Sequence, residues 1–192
     1  MNASVRSNTG RLLIWVGTAL AVGMGLLFLG RRHSALSSLS LQDEIAAAFW
    51  RAEAGESISA SEKEKILSLI SQVPDTATAA YALAASYLLL YGADALSAPP
   101  MVYVQRLQQF RSNPVVLAYL GRLAFHTGQR DKAIAYLREA IQKDPTCGPA
   151  YLFLSRIESD SACVWLQRGA QAAYTPAERT YRDRIRERLG CS

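Results

Sequence analysis

Histidine is almost missing from this chain: His33 and His126 are the only two in 192 residues. Neither has a second ligand at helical spacing or a nearby cysteine, which excludes the usual His- and Cys-based metal site. No serine or cysteine is flanked by the histidine and carboxylate that would activate a nucleophile. The chain therefore reads as a non-enzyme that needs no cofactor, no metal and no small-molecule substrate. Alternating strand patterns are also missing, and every segment beyond a short Ser-rich linker reads as helix or turn. The basic residues never cluster with interleaved aromatics, which excludes the usual nucleic-acid surface.

Charge is missing altogether from Leu12 to Leu29, "LLIWVGTALAVGMGLLFL", where Thr18 is the one clearly polar residue. As a helix it would span about 27 Å at about 1.5 Å per residue, close to the hydrocarbon thickness of a bilayer. The run is longer than a signal-peptide core, lacks an A-x-A site and ends in Gly30-Arg31-Arg32, so an uncleaved signal anchor is expected. Arg6 and Arg11 on one side nearly balance Arg31 and Arg32 on the other. The short N-terminal tail favours an N-inside orientation with the remainder periplasmic or equivalent, and the cytoplasmic side stays open. Gly17, Ala21 and Gly25 fall at i, i+4 and i+8, a small-residue stripe on which a partner membrane helix could pack.

The division expected is a tail (1–11), the anchor (12–29), a linker (30–40) and an all-α domain (41–192). Charge follows that division unevenly. Residues 1–30 hold two arginines and no acid, 31–113 seven basic and eight acidic residues, and 114–192 twelve basic and eight acidic. A mildly basic C-terminal third suits an acidic protein partner or lipid headgroups.

"SEKE" offers Ser61 and Glu64 as a capping box for a helix to about Val73, and "TPAE" offers Thr175 and Glu178 for a last helix that stops at Gly190. Between them a pattern recurs at about 34 residues. "YALAASYLLLYG" lines up with "LAYLGRLAFHTG", Gly92 falls against Gly128, and Asn113-Pro114 and Asp144-Pro145 close similar runs. In residues 114–147, Leu117, Leu120, Gly121, Gly128, Ala133, Leu137, Ala140 and Pro145 occupy the apolar, small, turn and terminating positions of a tetratricopeptide repeat, which this unit resembles. The resemblance extends less closely to 78–113, which carries extra residues around "ADALSAPPM". It also reaches 148–172, shortened near "SDSAC", where Ala162, Leu166 and Gly169 take the second-helix places. Residues 41–73 read as a degenerate unit and helix 176–189 as a polar cap. The charges of "HTGQRDKAIAYLREAI" (His126, Arg130, Asp131, Lys132, Glu139) are then a solvated helix surface.

The resemblance implies a groove lined by the first helix of each unit: Ala82, Ser86 and Leu89, then Ala118, Arg122 and Phe125, then Leu152 and Arg156. Arg122 and Arg156 hold equivalent places in successive units, so their guanidinium groups could flank one carboxylate. The Lys/Asn set of chaperone-binding repeats is not matched, since Arg122 stands where Asn is expected. Among the cysteines, Cys147 and Cys163 fall a helix length apart, too far to bridge. Cys163 and Cys191 fall at the neighbouring ends of antiparallel helices, so a staple and three small buried or idle thiols are both open readings.

The function implied is a membrane-anchored scaffold binding another protein, one associated with the membrane, during assembly of a membrane or envelope complex. A constitutive accessory subunit held by its membrane helix is the alternative.

Overall fold

The computed structural model describes residues 41–74 and 78–191. The tail, the apolar run 12–29 with Gly17, Ala21 and Gly25, and the linker all lie outside them. No helix among the described residues is long and apolar enough to cross a membrane.

Among the described residues there are nine α-helices and no β-strand: α1 (41–53), α2 (Ala60–Ile70), α3 (Thr78–Tyr91), α4 (Pro100–Gln109), α5 (Pro114–His126), α6 (Arg130–Lys143), α7 (Gly148–Ile157), α8 (Ala162–Arg168) and α9 (Pro176–Leu189). Helices α3/α4, α5/α6 and α7/α8 form three successive hairpins, with α5 packed against both α3 and α7. Helix α9 closes the array against α7 and α8.

Local chemistry accounts for the boundaries. Asn113 caps α5, accepting the Val115 and Val116 N–H groups, and Pro114 follows at the first turn, where its missing N–H costs nothing. Gly128, at φ +78°, ends the first helix of that hairpin, a conformation in which a side chain is strained. Thr175 and Glu178 form the expected capping box at the start of α9. The box opening α2 lies two residues earlier than expected: Ser59 and Glu62 make it, not Ser61 and Glu64, and α2 stops at Ile70 rather than Val73. Both Ser-x-x-Glu spacings satisfy the motif. Ser59 also holds Glu62 Oε2 through its own N–H and hydroxyl, while Arg51 takes the other oxygen.

The α5/α6 crossing is close because Gly121 has no side chain. A Cβ there would lie 2.8 Å from Leu137 Cγ and 3.1 Å from the Ala133 carbonyl oxygen. Ala133, Leu137 and Ala140 form the buried face of α6. Arg130, Asp131 and Lys132 open that helix on its exposed side, and Arg130 reaches over to the Ile157 carbonyl that ends α7.

Helix α1 runs antiparallel to α2, Glu44 pairing with Lys65 and Arg51 with Glu62, as the degenerate unit expected over 41–73 would. It lies across the first helices of all three hairpins. Phe49 meets Tyr91 of α3, Tyr119 of α5 and Phe153 of α7 edge to face, and Trp50 stacks on Phe153 at 5.0 Å and leans on Tyr181 of α9. Ile45, Phe49 and Trp50 are buried. Each large apolar side chain so buried contributes about 1.5–3 kcal/mol, which fixes the helix in place. Its C-terminus is closed by Gly55 at φ +81°, with Gly55 N–H donating to Ala52 and Glu56 N–H to Arg51.

Cys163, near the start of α8, and Cys191, just past α9, are joined by a disulfide with Cα atoms 5.4 Å apart. Cys147 is a free, buried thiol, pushed up to about 12 chiefly by burial.

Candidate functional site

Periodicity places Glu53 on the apolar stripe of α1, one turn beyond Phe49 and two beyond Ile45. That register carries a carboxylate into the face where the three hairpins meet. Glu53 is only 3 % exposed. Arg122 of α5 donates from Nε to Glu53 Oε1 at 2.8 Å, and Arg156 of α7 donates from Nη1 to Oε2 at 2.9 Å. The Tyr91 hydroxyl of α3 donates to Oε1 as well. Each hairpin thus contributes one donor to one carboxylate. A buried carboxylate is tolerated only with such pairing. Burial and the Glu53 charge beside it hold the Tyr91 phenol well above its ordinary value, so it stays a donor.

Ser86, Ala118 and Leu152, expected to face a groove, are fully buried, and Arg122 nearly so; Leu89 and Phe125 are half-buried. They lie on α3, α5 and α7, the helices that α1 meets at Tyr91, Tyr119, Arg122, Phe153 and Arg156. The face is therefore filled by the chain's own helix rather than open, because the apolar stripe of α1 has to be covered and this row of helices covers it. Arg156 is the exception: its side chain is 40 % exposed while still bonded to Glu53.

Arg156 marks the edge of a cavity of about 290 Å³ between the end of α1, α7 and α9. Besides Arg156 and Glu53, its polar lining includes Tyr181 and Arg188. Arg156 Nη1 also approaches the Tyr181 oxygen at 3.4 Å. Burial raises the Tyr181 phenol, and the charges of Arg156 and Arg188 both oppose that rise. Arg188 lines the same cavity from α9.

Sequence reasoning paired Arg122 with Arg156 but missed Glu53, Tyr91, Tyr181 and Arg188. A signal for Glu53 existed, since an acid on an apolar stripe calls for a buried cation. Nothing in the linear sequence singles out Arg188 from the other arginines of α9.

Residues 114–147, the α5/α6 hairpin and its approach to α7, match the family described as Tetratricopeptide repeat. No match was found among curated proteins, nor among solved structures. An all-helical array containing such a hairpin supports, in general terms, a protein-interaction scaffold with protein partners.

Proposed function

We propose that this chain is a membrane-anchored helical scaffold that binds a membrane-associated protein while a membrane or envelope complex is assembled or matured. The observation that carries the reading is the tetratricopeptide hairpin at 114–147 set in a chain whose residues 12–29 hold no charge. The first supports protein binding and the second supports tethering through a single N-inside span, with residues 41–192 on the periplasmic or equivalent side. Tethering raises the effective concentration of a partner in the same membrane, so a modest contact suffices. Filling of the hairpin face by α1 moves the contact to the rim of that face, where Arg156 stays accessible.

The filled face also favours a second reading. An array whose inner face is permanently occupied can be a structural cap, and the chain is then an accessory subunit held through Gly17, Ala21 and Gly25.

A mild-detergent pull-down of the full chain, quantified by mass spectrometry beside a copy with those three residues changed to Leu, separates the two. Substoichiometric partners that survive the change support the scaffold. Partners in fixed ratio that vanish with it support the subunit. Release of the chain from membranes by alkaline carbonate would remove the anchor from both.

A further inference from the structure

We infer that the cavity bounded by the end of α1, α7 and α9 is a binding site for a carboxylate side chain on the partner protein. The inference rests on the scaffold reading and names the chemistry of its contact. Arg156 and Arg188 line the cavity, and the one carboxylate there, Glu53, is already matched by Arg122 from behind. Three guanidinium groups around one acid leave a surplus of two positive charges beside a half-open space, which favours an incoming anion. All the bonds of Arg156 to Glu53 and Tyr181 use Nη1. Its other edge, Nε and Nη2, is left to serve a second planar partner in the two-pronged way guanidinium groups hold carboxylates.

The rest of the lining argues for the carboxylate of a polypeptide rather than a free inorganic anion. Ala162, Ile185 and Leu189 form an apolar side to the same cavity, which suits the methylene stem behind an acidic head. About 290 Å³ accommodates one such side chain, at the small end of ligand pockets. The cavity exists only because α1 and α9 are both in place. Neither belongs to the hairpin at 114–147, so the site is a product of the whole array.

The test uses the full chain in detergent micelles with ¹⁵N-labelled arginine, read at the Nε–H signals of Arg156 and Arg188. Three probes are titrated: acetyl-Gly-Glu-amide, whose single charge is the side-chain carboxylate, its Gln counterpart, and inorganic phosphate. Saturable shifts with the Glu probe are expected, with binding of the Gln probe weaker by about tenfold or more, the usual worth of one charged hydrogen bond. Arg188→Gln, a change at an exposed position, should weaken the Glu probe by a similar factor with Tm unchanged; it keeps the test valid if Arg156→Gln loosens the fold. Equal binding of the Glu and Gln probes, no saturation, tighter binding of phosphate, or indifference to Arg188→Gln would each overturn the assignment. In the same preparation, partner capture that persists when the probe fails sinks this site and leaves the scaffold. Probe binding without any captured partner supports the site and sinks the scaffold.

Discussion

Arg122 and Glu53 stand 69 residues apart in the chain and 2.8 Å apart in space, both buried. The pair ties α1 to the middle hairpin, and Arg156 and Tyr91 extend the tie to the hairpins on either side. Two consequences follow for substitution. A buried ion pair adds little over a well-packed apolar pair, yet losing one member strands the other.

Glu53→Ala is accordingly expected to cost about 3–5 kcal/mol by urea denaturation, because it leaves Arg122 buried without its counter-charge. Changing both Arg122 and Arg156 to Glu should be worse, gathering three carboxylates at one buried point. A cost for Glu53→Ala below about 1 kcal/mol, within the range of an exposed pair, would mean that α1 is not held as described.

Gly121→Leu should destabilise the α5/α6 hairpin by about 1–3 kcal/mol or more, since a core already in contact has no room for the added atoms. Alanine is the milder case: it gains about 1 kcal/mol of helix propensity over glycine, offsetting part of its clash with Leu137. An unchanged melting temperature in the Leu variant would contradict the crossing geometry of the repeat.

The Cys163–Cys191 bridge closes a loop of 28 residues, and chain entropy puts its contribution at about 3–4 kcal/mol. The double Cys→Ala variant should lose most of that, and a reductant should lower the Tm of the natural chain but not of the variant. Cys147 should resist alkylation until the fold opens, because it is buried and its thiol is pushed up to about 12. Rapid native labelling at Cys147 would refute this.

Glu178 combines a helix-capping role with burial. Burial raises its carboxyl above the ordinary 4.5, against the opposing bonds from Thr175. The folded chain thus holds a proton that the unfolded chain releases, so ionisation at neutral pH is a cost to the fold. Gln preserves the cap without that cost. Glu178→Gln should be more stable than the natural chain at pH 7. The gap should shrink as pH falls through the raised value and be gone below about 4.5. A gap that does not vary with pH would show that Glu178 is not titrating in this way.

Much of the architecture is legible in the sequence. The three hairpins, the Thr175 cap and the closing α9 follow from signals at a spacing of three to thirty-four residues, where local turn chemistry and neighbouring helix faces dominate. Gly121 and Ala133 read as a close crossing because small residues recurring on facing helices have few other uses. The start of α2 was misplaced because two overlapping Ser-x-x-Glu boxes meet the same local rule, and only packing of α1 and Arg51 onto Glu62 separates them.

Contacts close in the chain set the helices, their pairing in hairpins and the presence of two arginines at equivalent places on α5 and α7. Tertiary structure alone decided what those arginines hold. The amphipathic stripe of α1 could have been covered by many surfaces, and its position across α3, α5 and α7 arises from contacts dozens of residues away. Burying Phe49 and Trp50 there carries Glu53 between Arg122 and Arg156, and the charge that fills the face is thereby the chain's own.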